Sequence, residues 1–201
     1  MAHRTAQSPD AATFLHAQAD QASPADLGQE AACAAAANIP LDRDVFMREL
    51  VRDLCGTLEQ VVGLEEAQGF VSLVGQHIGE WLGEEYRKGL GSRSFSHAQI
   101  AAVLVDLKRR IHGDFYVREQ DDDKVVLGNR ACPFGDKVKD RPSLCMMTSN
   151  VFGTIASDHT GYAKVSMLRT IAAGHSECEI VVYLRKTRAT LAASGHEYFG
   201  A

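Results

Sequence analysis

Apolar and polar positions follow a helical period from Asp42 onward. Val45, Phe46, Leu50, Leu54, Leu58, Val61 and Val62 recur three and four apart, which predicts an amphipathic helix opening at Asp42 or Arg43 and closed by Gly63. A second helix is expected from about Glu65 to Lys88. A third runs from Ser96, a good N-cap, to about His112, with Ile100, Val103, Leu104 and Leu107 facing inward. The period then drops to two. Phe115–Glu119 and Lys124–Gly128 read as strands joined by the polar turn Gln120–Asp123. A helix from Ser143 to about Ser157, a strand from Tyr162 to Ile171, a turn containing Gly174 and a strand from Cys178 to Leu184 complete the pattern. Strands joined as hairpins pair antiparallel. The expectation is therefore an α+β fold: three N-terminal helices, then hairpin–helix–hairpin forming a small antiparallel sheet packed by helices.

The flanks differ in composition. Residues 1–40 are rich in Ala, Gln, Ser and Asp, with few large apolar side chains, so they read as a flexible leader whose Ala run is transiently helical. Residues 41–188 form a single domain and 189–201 a polar, poorly packed tail. The chain of 201 residues, 45% hydrophobic, contains no apolar run long enough for a membrane span and no signal-peptide core, so it is expected to be soluble and cytoplasmic. A net charge of -5 argues against direct nucleic-acid binding, which needs clustered Lys and Arg. The short groups Lys108-Arg109-Arg110 and Arg185–Arg188 read as the solvated ends of a helix and a strand. A role in transcription would then run through a signalling or regulatory protein partner, with room for a homodimer and no membrane contact.

Gly75, Gly79 and Gly83 fall at i, i+4 and i+8 of the second helix. Each costs about 1 kcal/mol relative to Ala in a helix interior, so the set implies close approach of another backbone, or of a bound ligand or cofactor, to that face.

Five cysteines without a secretion signal imply free thiols or metal ligands rather than disulfides. Cys33 lies in the Ala-rich leader, and Cys55 beside the first apolar stripe reads as a small buried hydrophobe. The other three sit at element edges. Cys132 precedes Pro133, which fixes an extended loop. Cys145 falls in the first turn of a helix capped by Ser143, where the dipole favours a thiolate. Cys178 opens a strand and shares its inward face with Ile180, Val182 and Leu184. Twelve residues separate Cys132 from Cys145 and thirty-two separate Cys145 from Cys178, with no tight Cys pair of the structural-zinc kind. Such spacing suits iron–sulfur ligation, another thiolate-bound metal or a redox thiol set, with His175 the nearest fourth ligand and His159 and Cys55 behind it. Unliganded thiols lining a small-molecule pocket fit the same pattern. No hydrolase elbow, P-loop or Rossmann fingerprint is present.

The runs Cys132-Pro-Phe-Gly, Leu144-Cys-Met-Met-Thr-Ser-Asn-Val-Phe-Gly153, Gly161-Tyr-Ala-Lys-Val and Gly174-x3-Cys178 resemble the methanogen output domain family. That resemblance covers about Asp42 to Leu184 and implies a sensory fold similar to the 4-vinyl reductase type of small-molecule-binding domain. A fainter similarity, through the Cys-Pro start, the twelve-residue gap and Gly-x3-Cys, is to the cluster-binding tail of the cyanobacterial Suf-operon repressor. That family uses four cysteines for an iron–sulfur cluster, of which Cys132, Cys145 and Cys178 carry over. The resulting expectation is a non-enzymatic sensory or regulatory domain in bacterial signal transduction or transcription control, detecting redox state or a ligand at a three-cysteine site. The alternatives are a binding module for an apolar or aromatic small molecule with structural cysteines, and a Cys-dependent enzyme using Cys145 with His175 or His159.

Overall fold

The structure, a computed structural model, describes residues 24–200. The chain divides into two units, Met1–Leu41 and Asp42–Ala201. In the first, the Ala-rich segment forms helix α1 (Pro24–Ala36), so this part of the expected leader is helical; the leader's first 23 residues lie outside the described part.

The second unit is α+β, with every strand pair antiparallel. Its helices are α2 (Arg43–Val62), α3 (Leu64–Leu90), α4 (His97–Arg110), α5 (Ser143–Thr160) and α6 (Arg188–Ala192). Its strands are β1 (Phe115–Gln120), β2 (Lys124–Asn129), β3 (Tyr162–Arg169), β4 (Cys178–Tyr183) and β5 (His196–Phe199), in the sheet order β1-β2-β4-β3-β5. Local chemistry sets the helix starts. Asp42 accepts a hydrogen bond from the Val45 N–H at 2.8 Å, and Ser96 and Gln99 form a reciprocal capping box. Gly63, at φ 87°, turns α2 directly into α3. In the β1–β2 turn, Asp121 Oδ1 accepts from the N–H groups of Asp123 and Lys124.

α5 is the central element. Between Ser149 and Ser157 every residue is buried, because one side packs on α3 while the other packs on β3 and β5. The α3 side explains the glycine stripe. A Cβ at Gly75 would lie 2.9 Å from Asn150 Cβ, and one at Gly79 would lie 2.9 Å from Thr154 Cβ and 3.2 Å from Val151 Cα. Gly75 and Gly79 therefore pack against the backbone of α5, and Gly83 faces the side chains of Ile155 and Asp158, so close approach of another helix accounts for the stripe.

Three further expectations change. The residues past Arg188 are not a loose tail. α6 leads into β5, which pairs with β3, and the Tyr198 ring lies where a Cβ on Gly153 would stand, with its hydroxyl 2.9 Å from Ser149 Oγ. A short polar strand of this kind gains its stability from the tertiary hollow it fills. Ser143 is the first helical residue of α5 rather than its cap, because its hydroxyl donates instead to Glu59 Oε1 of α2 at 2.5 Å. Finally, the apolar stripe of α2 is only partly covered. Its buried residues are Cys55 and Gly56, whereas Phe46, Leu50, Leu54 and Val61 are exposed, Val61 by 75%. With Phe70, Leu73, Val74 and Trp81 on α3 they leave a large apolar surface open.

No helix among the described residues is long and apolar enough to cross a membrane.

Candidate functional site

The fold brings Cys132, Cys145 and Cys178 from a loop, a helix start and a strand start to the lining of one small cavity of about 20 Å³. Each placement has a local cause. After β2 the chain makes a tight turn, with the Gly135 N–H bonded to the Cys132 carbonyl at 2.8 Å and Gly135 at φ 56°, a conformation that suits glycine. Cys145 sits in the first turn of α5, its N–H bonded to the Pro142 carbonyl. Cys178 opens β4 opposite Asn129, the last residue of β2, and shares its buried face with Ile180 and Val182. Phe115, Phe134, Leu144, Met167 and Ile171 supply most of the remaining, apolar wall.

Burial dominates the thiol chemistry. It pushes the Cys145 thiol up to about 12, with the neighbouring sulfurs of Cys178 and Cys132 adding to the effect, and it raises Cys132 as well. The thiolate expected for Cys145 at a helix N-terminus is therefore overridden, because desolvation outweighs the helix dipole here. Cys178 Sγ accepts from the Ile171 N–H at 3.4 Å and from Asn129 Nδ2 at 3.6 Å. The Phe134 N–H near Cys132 and the Thr170 hydroxyl near Cys145 act against burial and lower those two thiols.

The residue that sequence reasoning missed is Lys108. It is not a solvated helix end but 5% exposed, with Nζ donating to Thr148 Oγ1 at 2.8 Å and lying over the Phe152 and Phe115 rings at 5.3 and 5.6 Å. Burial lowers its ammonium to about 8, while negative charge on Cys132, Cys145 or Cys178 would raise it. Its position was legible: Ile100, Leu104 and Lys108 are spaced i, i+4, i+8, so Lys108 continues the buried stripe of α4. Its neighbours Arg109 and Arg110 are exposed and pair with Asp106, as a solvated helix end requires.

The other candidates stand apart. His175 is exposed in the turn before Cys178 and does not line the cavity, so it is not placed as a fourth ligand. His159 lies near the opposite end of α5, stacked on Phe95, whose N–H it accepts at Nδ1. Cys55 is buried in a neighbouring apolar cluster with Val71 and Leu144, and Cys33 is exposed. Among the described residues no three His, Cys, Asp or Glu side chains stand in a ready-made metal cage. The cavity is lined by three thiols, of which Cys178 accepts two hydrogen bonds, and Lys108 reaches its wall at Thr148.

A known structure shares this architecture at low sequence identity. The phenol-responsive sensory domain of the transcription activator PoxR, solved with phenol, is 16% identical with a TM-score of 0.52, covering 72% of this chain and 76% of that one. A trafficking protein particle complex subunit 3 from Naegleria fowleri, covalently bound to palmitic acid, is 14% identical with a TM-score of 0.48, covering 70% of this chain and 96% of its own. No curated protein matches the sequence. The profile of methanogen output domain 1 matches residues 50–183, from within α2 to the end of β4, and thus takes in all three cavity cysteines and Lys108. By that match, over more than half its length, the chain belongs to the methanogen output domain 1 family.

Proposed function

We propose that this chain is a sensory or regulatory domain and that Cys132, Cys145 and Cys178 are its detection site. The observation that carries this reading is the convergence of three sequence-distant thiols on one enclosed cavity. Likeness to the sensory domain of a transcription activator supports a sensory role at the level of architecture. An iron–sulfur cluster or a single thiolate-bound metal would be held by these three cysteines and would supply a redox- or metal-dependent signal. The chain's own contribution is to shield the sulfurs from water with Phe115, Phe134 and Leu144 and to supply two hydrogen-bond donors to Cys178. Free thiols at such a site need a reducing compartment, in keeping with a cytoplasmic domain. A catalytic cysteine is disfavoured because burial holds Cys145 protonated, whereas a nucleophile needs its thiolate. The apolar surface of Phe46, Leu50, Leu54 and Trp81 is of the kind that meets a protein partner, which supports regulation through protein contact.

A small aromatic ligand is the second reading, favoured by the fold likeness alone. A cavity of about 20 Å³ is far below the roughly 300–1,000 Å³ of ordinary ligand pockets, so the ring would have to open its own space. Thermal unfolding separates the two. Zinc added to reduced protein should raise the midpoint of the wild type, and of Cys55→Ser and Cys33→Ser, while Cys132→Ser, Cys145→Ser and Cys178→Ser each lose the shift. A midpoint that responds to phenol and ignores zinc would favour the aromatic ligand instead.

A further inference from the structure

α3 is apolar on two opposite sides. One side carries Gly75 and Gly79, packed against the backbone of α5, and the other carries Phe70, Val74 and Trp81, all exposed. A helix apolar on two sides needs cover on both, and the single chain covers one. α2 continues the pattern. Met47, Leu50, Leu54, Thr57, Val61 and Leu64, the last already in α3, recur at alternating intervals of three and four, the period of a coiled-coil seam. All six are exposed, and none carries a charge. α2 and α3 are joined by Gly63 and pack on each other, so both seams belong to one two-helix unit. Ten large apolar side chains between Phe46 and Trp81 are 46–75% exposed. Together they present on the order of 1,000 Å² of apolar surface, enough for the roughly 800 Å² that each partner buries in a standard interface. The charges along the first part of α2 balance, with Arg43, Arg48 and Arg52 set against Asp44, Glu49 and Asp53. Such a surface can meet its own copy without net repulsion, whereas nucleic acid or an anionic membrane calls for excess Lys and Arg.

We infer that α2 and α3 form a closed two-fold interface with a second copy of this chain, in which the seams of the two copies complete a four-helix bundle. A two-fold interface uses the same patch on both copies, and two helices from each supply the bundle and its apolar seam positions. The charge-free seam has the composition of a homodimer core, and Phe70 and Trp81 are its aromatic anchors. The inference narrows the protein contact proposed above to one partner. It does not depend on Cys132, Cys145 and Cys178 acting as one site, so either reading can fail alone.

Trp81 is the single tryptophan of the chain and reports on the interface directly. Sedimentation equilibrium of the reduced full-length chain over a concentration series gives the mass, and Trp81 emission from the same samples gives the burial of the seam. The chain of 21.8 kDa should sediment at twice that mass, and its emission should move to longer wavelength as dilution releases the monomer. Leu54→Glu should raise the dimer dissociation constant by about 30-fold or more, the effect of losing a central anchor. At concentrations where the wild type is dimeric it should already show the long-wavelength emission. Leu54 is exposed in the single chain, so the substitution leaves the fold standing, and Val61→Glu repeats the test at a second exposed seam position. Leu168→Glu, at an exposed apolar residue of β3, should change neither mass nor emission. A wild type that is monomeric at every concentration overturns the inference, whether Trp81 is then exposed or shielded by another part of the same chain. A dimer indifferent to both Leu54→Glu and Val61→Glu overturns it as well, because another face then holds the copies together, and so does an open series of larger masses.

Discussion

Gly79→Leu should unfold this protein or cost it at least about 3 kcal/mol, the upper end for overpacking a tight core. A single Cβ at this position already meets Thr154 Cβ at 2.9 Å and Val151 Cα at 3.2 Å, and the Cα belongs to a helix that cannot step aside. That helix, α5, is held on its far side by β3 and β5, so the strain cannot be relieved by a rigid shift. The three glycines are not equivalent. At Gly83 an added Cβ would find its nearest neighbours, Asp158 Oδ2 and Ile155 Cγ1, at 3.8 Å, which is ordinary contact. Gly83→Ala should therefore stabilise the protein by up to about 1 kcal/mol through helix propensity alone. Denaturant melts of the two variants test the packing. A Gly79→Leu protein as stable as wild type would mean that α3 and α5 do not approach as described.

Removing residues 189–201 should abolish cooperative folding. The truncation takes away the β5 ladder on β3, the Tyr198 ring seated against Gly153 and the Thr190 carbonyl that accepts from the buried Lys164 Nζ at 3.1 Å. Loss of a large aromatic ring from a packed site costs about 3 kcal/mol or more by itself, and typical domains have about 5–15 kcal/mol in total. Leaving Lys164 without its acceptor adds a poorly solvated charge. The graded control is Tyr198→Phe, which loses only the contact with Ser149 Oγ and should cost about 1 kcal/mol. If the truncated chain melts at the wild-type midpoint, β5 contributes nothing to the fold.

What was legible in the sequence was what local chemistry decides. Asp42 and Ser96 start helices because their side chains satisfy backbone donors three residues on, and Gly63 ends α2 because it sits at positive φ. The switch from a period of three and four to a period of two located the hairpins. The meeting of Cys132, Cys145 and Cys178 at one cavity was readable because a proline, a helix start and an alternating strand each fix one of them at an element's edge. Long-range partners were not readable. Ser143 has cap chemistry, yet Glu59, 84 residues earlier, takes its hydroxyl. Lys108 looked solvated within a basic run, and only its place on the Ile100–Leu104 stripe pointed inward. The glycine stripe announced close approach without saying that α5 was the partner. β5 is short and polar, and nothing local marks it as a strand before Gly153 offers the hollow for Tyr198. The helix dipole at Cys145 is a local effect, and burial, a property of the whole fold, reverses it.

The central claim is that three thiols from a loop, a helix and a strand act as one site. It is tested most directly by the metal content, per chain, of anaerobically purified protein, measured for the wild type, the three single Cys→Ser variants and the triple variant. Ligands of one centre are not additive. Cys132→Ser, Cys145→Ser and Cys178→Ser should each therefore lose the bound metal, and any thiolate absorption, about as fully as the triple variant, while Cys55→Ser retains both. A wild type purified without metal that also takes up none when it is supplied, or single variants that each keep most of it, would contradict the account.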